Sequence, residues 1–171
     1  MAHRRFEFEM PAPSAVVFDA FHYHVWRSRW DSLVGNARVV GGAPCPFVGA
    51  ETENTGEGWL RLLSMRTRFV TFDRPNVAAA SMIGRSFPFG KWAASMRHRD
   101  TEAGGSVLIY VYTIEAGPGL VLRRLLEPVV AWAFARQTQR RFTRMREFLA
   151  AHADEVVQWQ RVQHAVPEDN T

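Results

Sequence analysis

The first ten residues alternate apolar and polar side chains. Phe6, Phe8 and Met10 fall on one face, and charged residues occupy the positions between them. A period of two is typical of a strand with one buried face and one solvated face. The pattern therefore predicts a half-buried strand over residues 3–10.

Two short helices are predicted after this strand. The hydroxyl of Ser14 is placed to accept a hydrogen bond from a free amide of a first helical turn. Apolar residues then recur at helical spacing up to Phe21. A second segment, Val25–Val34, carries Trp26 and Trp30 one helical turn apart, and it predicts a second helix.

From residue 36 onward the period of two returns, interrupted by short segments rich in glycine and proline. Strands joined by such short turns form an antiparallel meander. With the first strand they make a sheet of seven. The predicted strands cover residues 37–40, 49–54, 60–72, 77–83, 91–99 and 106–115.

One long amphipathic helix is predicted at the C-terminus. Apolar residues recur at spacings of three and four from Leu122 to Leu149. Pro128 lies inside the pattern and predicts a kink, because proline removes a backbone hydrogen bond. The periodicity fades beyond Ala153. We therefore predict an α+β domain over residues 1–155, in which a curved seven-stranded antiparallel sheet wraps the long helix, and a partly frayed C-terminal extension over 156–171.

Length and composition indicate one ordinary globular domain. The chain has 171 residues, of which 47% are hydrophobic and 22% charged. No signal peptide is visible, and the longest apolar run is too short to span a membrane, so a cytoplasmic location is predicted. The net charge is +4. The basic residues of the chain are dispersed along the sequence, which argues against a specific nucleic-acid partner.

The residues that bind metals or phosphates in other proteins do not cluster in this sequence. Cys45 is the only cysteine, so no intramolecular disulfide can form. His22 and His24 would point about 200° apart on a helix, the wrong geometry for one ion. The glycine pairs at 41–42 and 104–105 lack the lysine and helix start of a phosphate loop. We expect no metal and no cofactor, and we assign no catalytic residue.

Several short motifs occur in an order that resembles the START/Bet v 1-like superfamily, also called SRPBCC, and within it the bacterial polyketide cyclase/dehydrase-like branch. The resemblance covers about residues 3 to 150. The motifs that carry it are residues 11–18 (PAPSAVVF), Trp26 with Trp30-Asp31, Phe72-Asp73-Arg74-Pro75, Gly104-Gly105-Ser106 and Leu125-Leu126-Glu127-Pro128.

The resemblance implies a helix-grip fold with a cavity between the concave face of the sheet and the C-terminal helix. Members of this superfamily include lipid and steroid carriers, hormone receptors, quinone-binding proteins, polyketide cyclases and chaperone co-activators. A shared fold does not choose among these functions. The implied partner is a small hydrophobic molecule, such as a lipid, a polyketide or an aromatic metabolite.

The candidate ligand-binding residues lie on the predicted inner faces of the strands and helices. A few polar groups among them, with Thr138 and Gln137 interrupting the apolar face of the last helix, would orient a ligand in an apolar pocket. The alternatives are that backbone or water satisfies these groups, or that the sheet register is reversed. The candidates are Trp26, Trp30, Met65, Thr67, Phe69, Met82, Trp92, Met96, His98, Tyr110, Tyr112, Phe134, Gln137 and Thr138.

Large apolar side chains also fall in predicted turns. They are found in Pro46-Phe47-Val48, at Trp59 and in Phe87-Pro88-Phe89. One interpretation is a pocket mouth that touches a membrane or a partner transiently during loading. The other is that these loops fold over the end of the sheet as part of the core.

Five arginines are predicted to give the last helix a basic outer side. They are Arg136, Arg140, Arg141, Arg144 and Arg146. This face is either simply solvated or suited to an acidic partner, RNA or an anionic lipid.

Three functional hypotheses follow. The first is a binding module that carries or senses a hydrophobic metabolite, as a monomer or a homodimer. The second is a cofactor-free cyclase or dehydratase that holds a reactive chain in a folded shape, with Tyr110, Tyr112, His98 or Thr138 assisting proton transfer. The third is an interaction module that uses the basic helix and has no pocket.

Overall fold

The computed structural model describes residues 1–31, 34–56, 64–117 and 120–165. The element order confirms the predicted succession of one strand, two short helices, six strands and one long helix. The elements are β1 Ala2–Met10, α1 Ser14–His22, α2 His24–Trp30, β2 Val34–Val39, β3 Glu51–Gly56, β4 Ser64–Asp73, β5 Val77–Met82, β6 Phe89–Asp100, β7 Ser106–Ala116 and α3 Leu120–Ala165.

The seven strands form one antiparallel sheet in the order β1-β7-β6-β5-β4-β3-β2. Strand β1 pairs with β7 along its whole length, from Ala2 opposite Ile114 to Met10 opposite Ser106. The remaining strands follow one another as a meander. This architecture confirms the predicted helix-grip α+β fold.

The inner face of the sheet is set by alternation along β7. Buried and half-buried residues alternate over all of its positions, and Leu108, Tyr110, Tyr112 and Ile114 are buried. The tyrosine face therefore points inward, as predicted. Helix α3 covers this face, and Phe142 packs against Tyr110 with ring centroids 5.1 Å apart.

The turn into β7 needs its two glycines for different reasons. Gly104 adopts a φ of +83°, which side chains other than glycine rarely adopt. A Cβ on Gly105 would lie 2.6 Å from the carbonyl oxygen of Met10. The next residue, Ser106, donates a hydrogen bond to the carbonyl of Ala12 over 2.8 Å. This turn therefore brings β7 into contact with the end of β1.

Helix α2 is shorter than predicted. It ends at Trp30 rather than at Val34, and the backbone N–H of Asp31 closes it by donating to the carbonyl of Arg27. Val34 instead begins β2, where it pairs with Gly56. Apolar spacing alone could not locate this end, because a strand residue also continued the apolar pattern.

The N-terminus of α1 is satisfied by a different side chain from the one predicted. The N-cap residue is Pro13, one position before Ser14, and it makes no side-chain capping hydrogen bond. The Ser14 backbone N–H instead donates to Oδ1 of Asp100, at the end of β6, over 2.6 Å. A carboxylate at a helix N-terminus also interacts favourably with the helix dipole.

Helix α3 continues past the point where its periodicity fades. It runs unbroken to Ala165, with Pro128 inside it. Val156 is fully buried, and the ring centroid of Trp159 lies 4.6 Å from that of Tyr23. Part of the predicted extension therefore packs against the domain. The predicted frayed end, residues 167–171, lies outside the described residues.

Within the described ranges, no helix combines the length and the hydropathy that crossing a bilayer requires. Strand β4 begins at Ser64, so the earlier part of the strand predicted over 60–72 lies outside the described residues, as does Trp59.

Candidate functional site

A cavity of about 400 Å³ lies between the sheet and α3. Strands β3 to β7 form one wall, and α3 forms the opposite wall with residues from Val130 to Arg141. Phe21 and Arg27 contribute from the two short helices. This volume falls within the range of pockets that bury small organic ligands.

The cavity wall is mainly apolar. Phe69, Trp92 and Met96 line it from the sheet, and Phe134 lines it from α3. Phe87, in the loop between β5 and β6, also lines the cavity although 69% of its surface is exposed. We therefore assign this loop to the mouth of the cavity.

The structure brings together nine of the fourteen predicted candidates around this cavity. Thr67 is 3% exposed and Thr138 is 4% exposed, so both inward assignments agree with the geometry. Their role in ligand binding stays a prediction. The nine are Met65, Thr67, Phe69, Trp92, Met96, Tyr110, Phe134, Gln137 and Thr138.

The two tryptophans of α2 lie away from the cavity. Trp26 packs against Trp159 of α3 with ring centroids 5.9 Å apart. Trp30 donates a hydrogen bond from Nε1 to the carbonyl of Ala20 over 2.9 Å. Both side chains are buried, and neither lines the cavity. The cavity contacts α3 between Val130 and Arg141, whereas Trp159 lies farther along the helix.

The other three candidates lie on the inner face of the sheet, as the cavity residues do, but at positions beyond the ends of the cavity. Tyr112 packs between Phe6 and Phe134, with ring centroids 6.0 and 4.7 Å away. His98 lies near the end of β6, 5.6 Å from the ring of Phe18. Met82, half-buried, pairs with Thr67 at the end of β5. Alternation predicts the face of a strand but not where a cavity begins and ends.

A patch of small polar side chains lies on the sheet wall. The hydroxyls of Thr52 and Thr67 are 2.7 Å apart and hydrogen-bonded. Nδ2 of Asn54 donates to Oγ1 of Thr52 over 3.4 Å. All three residues line the cavity, so this patch offers hydroxyl and amide groups to a ligand.

Two buried polar atoms of lining residues have no hydrogen-bond partner among the described residues. They are Oδ1 of Asn54 and Nε1 of Trp92. A buried polar group without a partner costs about 1–3 kcal/mol. A ligand or water in the cavity would reduce this cost.

A charged cluster at the helical end of the cavity was not predicted from the sequence. Arg141 is not on the basic outer side of α3, where the sequence placed it. It lines the cavity and donates from Nε to Oδ2 of Asp31 over 3.1 Å. Arg27, which also lines the cavity, donates to the same oxygen over 2.9 Å. Helical periodicity could not reveal this cluster, because Asp31 and Arg141 lie 110 residues apart.

Charges and burial shift the protonation equilibria in this cluster. Burial would raise the pKa of Asp31, but Arg141 and Arg27 outweigh burial and the net shift is downward. Burial lowers the pKa of His22, another lining residue, to about 3. His22 is therefore neutral at pH 7, and its Nδ1 donates to the carbonyl of Phe18 over 2.9 Å.

In the parts of the chain that the structure describes, no group of three or more His, Cys, Asp or Glu side chains could hold a metal ion.

Comparisons with solved structures show the same architecture in distant proteins. Protein TTHA0849 from Thermus thermophilus superposes with a TM-score of 0.71 at 14% identity, covering 88% of this chain and 98% of its own. Ara h 8.0201, which is Bet v 1-like, gives 0.66 at 13% identity, covering 88% and 98%. The chain has the START/Bet v 1-like fold.

A third structure with the START/Bet v 1-like fold is the ZhuI aromatase/cyclase from Streptomyces sp. R1128. It superposes with a TM-score of 0.67 at 13% identity, covering 96% of this chain and 99% of its own. No protein-family model and no curated protein sequence matches the chain. At these identities the likeness shows the shared fold and does not assign a function.

Proposed function

We propose that this protein binds and carries a small hydrophobic molecule in the cavity between its sheet and α3. The observation that carries the proposal is an apolar cavity of about 400 Å³ whose wall includes buried polar atoms without partners among the described residues. Side chains that only packed together would leave no such volume, because protein interiors are close-packed. The fold supports the proposal, because the long helix crosses the concave face of the curved sheet and leaves a space between them. A cytoplasmic location stays a prediction from the sequence.

The test is titration with N-phenyl-1-naphthylamine, a neutral dye that fluoresces in apolar surroundings. We expect one-to-one binding with a dissociation constant of about 1 µM, or about −8 kcal/mol. Thr138→Trp should abolish binding, because Thr138 is buried on the cavity wall and an indole would fill the space. The matched control is Thr143→Trp, which places the same side chain on an exposed position of α3.

Both variants should keep the wild-type far-ultraviolet circular dichroism. Absence of dye binding to the wild type would contradict the proposal. So would a Thr138→Trp variant that binds as well as Thr143→Trp.

A second candidate function is that of a cofactor-free cyclase or dehydratase. Tyr110 is the observation in its favour: it lines the cavity, and burial raises the pKa of its phenol to about 12. It would therefore stay protonated at pH 7 and donate a hydrogen bond to a substrate carbonyl. In this case Tyr110→Phe would retain dye binding and lose turnover of a poly-β-ketone chain. Equal turnover by the variant and the wild type would exclude Tyr110 as the donor.

A further inference from the structure

Two guanidinium groups at one end of the cavity share a single carboxylate. Arg27 and Arg141 both donate to Oδ2 of Asp31. The Asp31 side chain is 1% exposed, and each arginine side chain is 14% exposed. Two positive charges against one negative charge leave this buried trio with one positive charge in excess.

The two arginines are held in place by stacking as well as by the ion pair. The guanidinium carbon of Arg141 lies 4.7 Å from the ring centroid of Phe21, and that of Arg27 lies 4.9 Å from the same centroid. Both arginines are therefore fixed on an apolar surface where screening by water is weak. Electrostatic interactions in such surroundings are stronger than at an exposed site.

The rest of the described cavity wall does not compensate this charge. Its lining residues include neither aspartate nor glutamate, and His22 is neutral at pH 7. Burial, followed by the charge of Arg141, lowers the pKa of Arg27, so its surroundings disfavour the charged form. An anion placed beside the arginines would reverse this effect.

We propose that the ligand carries a carboxylate that binds to Arg27 and Arg141, with an aromatic or alicyclic body that fills the apolar part of the cavity. This proposal rests on the proposed binding function and adds the chemical class of the ligand. The planar fork of a guanidinium matches a carboxylate, with which it forms short, charge-assisted hydrogen bonds. Tyr110 lines the same cavity, so its phenol O–H is a further hydrogen-bond donor available to the acid.

The experiment compares two competitors that differ in charge but hardly in shape. N-phenyl-1-naphthylamine bound to the wild-type protein is displaced at pH 7.5 by 2-naphthaleneacetic acid or by 2-naphthaleneacetamide. We expect the acid to displace the dye at a concentration about tenfold lower than the amide, equivalent to about 1.4 kcal/mol. Equal potency of acid and amide would overturn the proposal.

Variants then locate the preference for the acid. Arg141→Gln should remove most of the acid's advantage over the amide, with both competitors measured on that variant. The matched control is Arg140→Gln, the same substitution at the neighbouring exposed position of α3. If Arg140→Gln reduced the advantage as much as Arg141→Gln, the effect would come from surface charge, and the proposal would be wrong.

The outcomes separate this proposal from the binding function. A protein that binds no dye contradicts both proposals. If the protein binds the dye but does not discriminate the acid from the amide, the binding function stands and only the proposal of a carboxylate ligand is wrong. The wild-type comparison requires no variant, so it decides the question even if Arg141→Gln fails to fold.

Discussion

Arg74 donates two hydrogen bonds to the buried carboxylate of Asp19, from Nε over 2.6 Å and from Nη2 over 2.7 Å. Gln160 of α3 donates to the same carboxylate over 2.6 Å. Three distant parts of the chain therefore meet at one side chain: α1, the turn between β4 and β5, and the last part of α3. Since the Asp19 side chain is 1% exposed, these partners take the place of water around its carboxylate.

Replacing Arg74 with methionine should destabilise the protein by about 2–4 kcal/mol. The substitution keeps much of the side-chain volume but removes the positive charge beside the buried Asp19. The carboxylate then retains only the hydrogen bond from the neutral amide of Gln160. An uncompensated buried charge destabilises the folded state. Urea unfolding would measure the change. The control is Arg68→Met, because Arg68 is 54% exposed and its surface ion pair with Glu51 contributes little to stability. Equal losses for the two variants would contradict the structural role of Asp19.

Truncating Phe142 to alanine should cost about 3–5 kcal/mol of unfolding free energy, because a large buried ring leaves a cavity when removed. Phe142 is 1% exposed and packs against Phe8 and Tyr110. The control is Trp132→Ala on the same helix, since Trp132 is 64% exposed and should cost less than about 1 kcal/mol. A loss below about 1 kcal/mol for Phe142→Ala in denaturant melts would show that the buried face of α3 is wrongly assigned.

Acidification should destabilise the protein below about pH 6.5. Burial lowers the pKa of His22 to about 3 and that of His98 to about 4 in the folded state, whereas an unfolded histidine titrates near a pKa of about 6.5. The unfolded chain therefore binds more protons between these values, and stability falls as the pH falls from about 6.5 toward 4.

Urea midpoints at pH 7.5 and pH 5.0 would measure this loss. His98→Leu should reduce the difference, because both ring nitrogens of His98 are buried and lack partners among the described residues. His152→Gln is the control, since the His152 side chain is 37% exposed. An unchanged pH dependence in His98→Leu would exclude His98 as a source of the effect.

Deleting residues 156–171 should destabilise the domain by several kcal/mol, although the sequence suggested a boundary at 155. The deletion removes the fully buried Val156, Trp159 with its contact to Tyr23, and the hydrogen bond from Gln160 to Asp19. Deleting only residues 166–171 is the control, and we expect little change. Thermal melts of the two truncated proteins would show the difference. Equal melting temperatures would place the domain boundary at 155.

The sequence could predict the fold because its signals are local and repeat along each element. Alternation along β7 places Tyr110 on the inner face. The two glycines before β7 and Ser106 at its start produce the turn that positions the strand beside β1. Alternation along β4 likewise places Thr67 in the cavity wall. For these residues, knowing the face of the strand was sufficient.

The charged part of the site could not be predicted in this way. Arg141 looks like one arginine among several on a basic helix, and its partner Asp31 follows a different helix 110 residues earlier. His98 and Tyr112 share the inner face, but the cavity ends before it reaches them, because Phe18 and Phe134 pack there. Position along a strand depends on what the neighbouring elements cover, which no local pattern contains.

The pairing of the first strand with the last also sets an order of events during synthesis. Met10 can pair only after Ser106 has been synthesised, and Ala2 only after Ile114 has been synthesised. The sheet cannot close before then. At a translation rate of about 5–20 residues per second, β1 remains without its partner for on the order of ten seconds. Until then Phe6 and Phe8 have no β7 to lie beside. The nascent chain therefore presents an unpaired strand with one apolar face to the ribosome surface and to chaperones, and the cavity forms only after α3 has been synthesised as far as Arg141.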